Sequence, residues 1–332
     1  MLRTSSTILL VAVLSSGAIA VPDDDHEADI SPTEAVDGTI GVKTLGGLQF
    51  WGDLKYFHGW RIQRNVLTSH YRLLDPDNNR YCSGSVEECE SRLQMIAAER
   101  KMPAMSGKAV VLIHGIGRSS KSFEPMARTL TDRGYTVVKF DYPSTRVPIQ
   151  ESAEYLHQVM DSLTGIESID VVVHSMGGLV LRSYLQTHDD TRLHRAVMLG
   201  VPNSGAQIAD FLKNNPVFKM ILGPAGQQLV TESDGLISGL PTPDFEFGVL
   251  AGGRGAIRGY NPLLPGDNDS TVTVASTRLP GARDFICMPV IHTFLMTDPQ
   301  AITATCCFLE HGRFSRDRAP SPIRTDGISV IE

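Results

Sequence analysis

Apolar residues fall along this chain in two alternating rhythms. Positions 109–113, 136–140, 169–173, 196–199 and 247–251 are short apolar runs, rich in β-branched residues, with the length of strands buried on both faces. Between the earlier runs, apolar residues recur at three- and four-residue spacing. That spacing predicts helices over 123–133, stopped by Gly134, over 152–163, and from Met176 to about Thr187. Strand and helix in turn predict an α/β fold, with a mostly parallel sheet covered by helices on both faces.

Before residue 106 the rhythm breaks down. Positions 45–60 hold aromatics and glycines without a clear period, 60–65 and 70–75 read as short strands, and Asp75-Pro76-Asp77-Asn78-Asn79 reads as a turn. Ser85-Val86-Glu87-Glu88 is a capping box, which predicts a helix reaching about Arg100. Residues 40–105 are therefore expected to form a small α+β extension ahead of a main domain at 106–312. One connection in that domain, about 203–245, far exceeds the usual loop of roughly two to six residues. Its helical spacing of Ile208, Phe211, Leu212, Phe218 and Leu222 predicts a cap or lid. Residues 313–332 read as a peripheral tail.

The chain's start carries a targeting pattern: Arg3, an apolar stretch over 8–14, then Ala18-Ile19-Ala20 as a small-residue cleavage site. Residues 1–20 are expected to be a cleavable signal peptide, making the protein secreted or periplasmic. Residues 21–39 are acidic and polar and are expected to be disordered. Export permits disulfides, and of the five cysteines Cys82 and Cys89 are spaced to close a small loop. A net charge of −7 leaves no basic footprint for nucleic acid. No cysteine or histidine spacing suggests zinc.

The chemistry concentrates in Val171-Val172-Val173-His174-Ser175-Met176-Gly177-Gly178. A strand turning sharply into a helix at a serine holds that hydroxyl above the sheet and aims the unpaired N–H groups of the helix start beside it. Ser175 is the expected nucleophile, and the Met176 N–H one oxyanion donor. A serine needs an imidazole to take its proton and a carboxylate to orient that imidazole. Beyond the lid the histidines are His292 and His311. His292 follows an apolar strand at its carboxyl edge, whereas His311 sits near the end of a final helix, so His292 is the expected base. Gly266-Asp267-Asn268-Asp269-Ser270 offers two acids on one turn; Asp269, at the loop tip, is favoured and Asp267 is the alternative. The loop Ile113-His114-Gly115-Ile116-Gly117 lets backbone approach substrate and supplies the Ile116 N–H as second oxyanion donor. His114 and His174 read as structural residues or as supports beside the site, and Asp141, which could mimic the triad acid, precedes the nucleophile in the chain.

These pieces resemble the bacterial lipase/esterase branch of the α/β-hydrolase superfamily: I-H-G-I-G at 113–117, V-H-S-M-G-G at 173–178, L-G-V-P-N-S-G at 199–205, N-D-S-T-V at 268–272, and the segment around His292. The likeness spans roughly 106–312. It departs from the usual motif where Val173 replaces a glycine, and where Ser270 stands in place of the glycine that commonly follows the acid. The resemblance implies an α/β-hydrolase fold, a Ser175–His292–Asp269 triad with Ile116 and Met176 at the oxyanion, ester or lipid substrates, and no metal or organic cofactor. Acyl transfer, thioester or amide cleavage uses the same machinery, and a non-catalytic lipid- or protein-binding module is a further alternative.

Overall fold

The computed structural model describes residues 42–43 and 48–325; the expected signal peptide and acidic segment lie outside the described residues. The chain first forms an antiparallel sheet of β1 (Val42–Lys43), β2 (Trp51–Phe57), β3 (Trp60–Asn65), β4 (Tyr71–Leu74) and β5 (Asn79–Gly84), in the order β1-β5-β4-β3-β2. Helix α1 (Val86–Glu99) follows, its start fixed as the capping box predicts: Ser85 Oγ accepts the Glu88 N–H and Glu88 accepts the Ser85 N–H. Cys89, Leu93 and Ile96 lie on one face of α1 and pack on Trp60, Ile62 and Leu73. Cys82 and Cys89 stand as free thiols, and burial, with the hydrogen bond the Cys89 thiol makes to Cys82, pushes Cys89 up to about 12.

Strands β2 and β5 are the elements the sequence pattern hides. A bulge between Asp53 and Lys55 breaks the two-residue period of β2. The strand also buries a charged residue, Asp53, which accepts from Gln63 (2.7 Å) and from the Asp141 N–H (2.7 Å). A second irregularity interrupts the β4–β5 register at Leu73 and Leu74.

The main domain alternates β6 (Gly107–Ile113), α2 (Glu124–Asp132), β7 (Thr136–Phe140), α3 (Ile149–Ser162), β8 (Ile166–His174), α4 (Met176–Thr187) and β9 (Leu193–Leu199). Helices α5 (Gln207–Leu212) and α6 (Pro216–Gln227) occupy the long connection, followed by β10 (Glu246–Gly252), the short α7 (Val274–Thr277), β11 (Asp284–Met288) and α8 (Pro299–His311). The sheet order is β11-β10-β9-β8-β6-β7, and every neighbouring pair is parallel. This is the α/β-hydrolase fold expected from the sequence.

Successive valines explain why the sheet is covered twice. Val171 and Val173 point into one core with α3 and α4, while Val172 points into the other with α2 and α8. Each fully buried side chain of this kind contributes ~1.5–3 kcal/mol. The order also reverses between β6 and β8. Loops leaving these two strands diverge there, opening a crevice at their carboxyl ends.

Helix α6 is two helical pieces joined at Gly223 (φ 60°, ψ −157°), where a Cβ would lie 1.8 Å from the Thr145 carbonyl oxygen. The tail read as peripheral is instead packed as far as Ile323. Phe314 is buried against Phe308, Arg318 pairs with Asp284 at 3.0 Å, and Ile323 exchanges backbone hydrogen bonds with Gly281 and Ala282. The reason is Asp284, a fully buried carboxylate that needs donors; the tail supplies Arg318 and the Phe314 and Ser321 N–H groups.

Candidate active site

Ser175 stands between β8 and α4 with φ 54° and ψ −129°, a conformation costly for any residue with a Cβ. Its neighbours make the turn fit. A Cβ on Gly177 would meet the Ile113 and His114 carbonyl oxygens at 2.4 and 2.7 Å, and one on Gly178 would meet Val201 at 2.5 Å. These two glycines let α4 start hard against the ends of β6 and β9. Val173, where the motif it resembles has glycine, lies on the strand proper and is buried in the core, so a side chain has room there.

Three distant segments meet at this serine. The Ser175 hydroxyl donates to His292 Nε2 at 3.0 Å, and His292 Nδ1 donates to Asp269 Oδ2 at 2.7 Å. His292 sits on a 3₁₀ turn after β11, and its own N–H donates to the Asp269 carbonyl (2.8 Å), fixing ring and backbone to one residue. The other Asp269 oxygen accepts the Thr271 and Val272 N–H groups at 3.0 and 2.7 Å. Asp269 is 0% exposed and His292 6%, so the ion pair that forms when the imidazole gains a proton acts in a low dielectric. Asp267 is occupied elsewhere, accepting the Arg254, Gly255 and Asn268 N–H groups as a turn cap. His311 lies at the end of α8 beside Glu310 and Arg316.

The loop expected to supply the second oxyanion donor is also adjacent. Gly115 abuts the serine so closely that a Cβ there would lie 2.9 Å from Ser175 Cβ. Ser144 Oγ accepts the Gly117 N–H (3.0 Å), and Tyr142 donates to the His114 carbonyl (2.6 Å) while stacking on the His114 ring. The loop is therefore held in place before any ligand arrives. Ile116 lines the cavity over Ser175, and the Met176 N–H, in the first turn of α4, has no acceptor within its helix.

Two further residues complete the site. His174 Nε2 donates to the His292 carbonyl at 3.0 Å. Burial, with His292 and Arg118 nearby, holds its pKa well below the usual imidazole range, so it is neutral at pH 7. Arg118 enters the cavity from the β6 loop and donates to Thr293 Oγ1 (3.1 Å). The sequence offers no local signal for this role, because Arg118 and Thr293 are 175 residues apart. The cavity, about 310 Å³, is bounded by Gly115, Ile116, Arg118, Ile208, Tyr260 and Thr271 around Ser175 and His292. Among the described residues no group of three or more His, Cys, Asp or Glu side chains is arranged to hold a metal. What the arrangement can do is pass one proton between a hydroxyl and an imidazole beside the start of a helix, as nucleophilic acyl chemistry requires.

A family model described as a domain of unknown function (DUF7379) matches residues 80–227, a stretch containing Ile116, Ser175 and Met176 but ending before Asp269 and His292. Among solved structures, the chain is similar to a Bacillus licheniformis lipase in its mature form, at 23% identity over 63% of this chain and 92% of that one, with a TM-score of 0.49. It is similar to Aspergillus fumigatus lipase B at 14% identity, over 67% of this chain and 61% of that one, with a TM-score of 0.47. A thermophilic esterase from Thermogutta terrifontis shares 17% identity over 62% of this chain and 89% of that one, with a TM-score of 0.40.

Proposed function

We propose that the protein is an exported serine hydrolase that cleaves carboxylic esters, with Ser175 as nucleophile. The observation that carries this reading is the unbroken relay from Ser175 Oγ through His292 to Asp269, at 3.0 and 2.7 Å. Ser175 Oγ bonds to the ester carbonyl carbon as its proton passes to His292 Nε2, and Asp269 steadies the resulting imidazolium. The carbonyl electrons move onto oxygen, where the Ile116 and Met176 N–H groups receive the charge. When they return, the bond to the alcohol oxygen breaks, and His292 hands the proton to that leaving group. Water then attacks the acyl-serine by the same route, its proton going to His292 and on to Ser175 Oγ. Export rests on the N-terminal sequence pattern.

A lipid ester is the favoured substrate type, in transient contact with a lipid surface. Exposed Phe211, Leu263 and Phe294 support this, each lying within three residues of cavity-lining Ile208, Pro262 or His292. The test is hydrolysis of 4-nitrophenyl esters of increasing chain length, below and above their aggregation point, by the wild type and Ser175→Ala. Turnover and fluorophosphonate labelling at Ser175, both lost in the folded variant, are expected; unchanged activity in Ser175→Ala rejects the reading. Faster turnover of thioesters, amides or added alcohols would instead select acyl transfer or thioesterase/amidase chemistry.

A further inference from the structure

Arg118 is a cation in the cavity of Ser175 with no carboxylate among the described residues to pair with it. The chain brings it there by a tight turn, in which the Arg118 N–H donates to the Gly115 carbonyl (3.3 Å) and Gln49 Nε2 donates to the Arg118 carbonyl (2.7 Å). One guanidinium nitrogen meets Thr293 Oγ1 at 3.1 Å. A guanidinium carries five N–H donors in a planar fork, so this one neutral contact leaves most of its capacity unspent. The environment acts on the group by burial alone, and it pulls the arginine below its usual range rather than above it. Buried arginines elsewhere in the fold spend their donors: Arg61 meets Asp141 at 2.8 Å, and Arg182, without a carboxylate, donates to the carbonyls of Pro241, Asn203 and Leu240 at 2.9, 3.1 and 2.6 Å. A half-buried guanidinium with open donors on a cavity wall is a ready partner for an anion entering that cavity.

We propose that Arg118 is the binding residue for an anionic oxygen group, a carboxylate or a phosphate, carried by the ester that Ser175 cleaves. The proposal rests on the hydrolase reading of Ser175 and adds the charge of its substrate. The guanidinium stands at the cavity wall beside the loop of Ile116 and next to Thr293, so a bound anion would lie alongside the scissile ester rather than on it. The planar fork suits both groups, each offering two oxygens to parallel N–H donors.

Two pairs of substrates, given to the full chain, test this. 4-Nitrophenyl hydrogen glutarate is compared with 4-nitrophenyl valerate, equal in chain length but uncharged; dibutyryl glycerol phosphate is compared with dibutyrylglycerol. The charged member of at least one pair is expected to be preferred by about tenfold to a hundredfold in kcat/KM, chiefly through KM, the range of a charge-assisted hydrogen-bonded pair. The pair showing the preference identifies carboxylate or phosphate as the group. In Arg118→Gln that ratio should collapse toward one, with Arg118→Lys retaining part of it. Arg118 serving only to tether Thr293 would lower both members of a pair together and leave the ratio unchanged, which overturns the proposal. Turnover of all four substrates with ratios near one overturns it while leaving the hydrolase reading intact; no turnover of any, without labelling of Ser175, overturns both.

Discussion

His174 Nε2 lies 3.0 Å from the carbonyl oxygen of His292, so one neutral imidazole holds the backbone that carries the other. Its neighbour in the chain is Ser175, which means the same two residues grip the base from both sides. In the proposed mechanism His174 is a positioning residue. Replacing it by Ala should lower kcat by about tenfold to a hundredfold with KM little changed, since small displacements of a reacting group carry penalties of that order. His174→Gln, which keeps a donor, should recover part of the loss. A variant that melts earlier but keeps its kcat would reduce His174 to packing.

Asp269 and Asp267 provide an internal control. Asp269 accepts the imidazole N–H and two backbone N–H groups. Asp269→Asn should present the wrong partner to His292 and lower kcat by roughly a thousandfold or more. Asp267 caps a turn instead, and Asp267→Asn should stay within about tenfold of the wild type. Equal losses in the two variants would contradict this division.

Ser270 has φ 88°, in the region that favours glycine. An L-residue there costs about 1–2 kcal/mol, partly offset by glycine's greater freedom in the unfolded chain. Ser270→Gly is expected to stabilise the protein by up to about 1 kcal/mol, and Ser270→Val to destabilise it. Urea unfolding curves of both variants decide the matter, and a destabilised Gly variant would contradict it.

Gly177 faces backbone, not a movable side chain. Gly177→Ala must push a methyl toward the Ile113 and His114 carbonyl oxygens, so α4 has to move away from β6. A loss of about 1–3 kcal/mol is expected, together with slower fluorophosphonate labelling of Ser175. Labelling at the wild-type rate would show that the elbow tolerates the methyl group.

Burial pushes the Asp53 carboxyl up to about 6, against the opposing pull of Arg61, while Arg61 and His114 help hold Asp141 low. A folded-state value above the unfolded one means Asp53 favours the fold fully below pH ~4, and that contribution fades as pH rises through about 6. The change amounts to about 3 kcal/mol. Asp53→Asn lacks this titration, so its stability relative to the wild type should improve between pH 4.5 and 7. Chemical denaturation at several pH values measures that difference; a difference flat with pH would overturn the assignment.

The parallel strands and the segments that meet at Ser175 were legible because their signals are local. A valine run, a serine followed by two glycines, and acids on a glycine-bounded turn each announce themselves within eight residues. What stayed hidden depends on distant partners. Asp53 reads as a polar break in β2 until Asp141, 88 positions away, supplies its N–H. Asp284 reads as a strand's polar start, yet it draws Arg318 and the following tail onto the fold. Arg118 reads as one more surface charge until the fold sets it in the cavity with Ser175.

The bond pair between Asp53 and Asp141 has a practical reach. Asp141 also accepts the Ser120 N–H and hydroxyl, and Ser120 follows directly on the loop that faces Ser175. The N-terminal sheet is thus a buttress rather than an appendage. A graft of residues 106–312 onto another scaffold would strip Arg61 from the Asp141 carboxylate, and the Asp53 and Gln49 donors from the Asp141 and Arg118 carbonyls, so the loop would travel intact only with residues 48–105 attached.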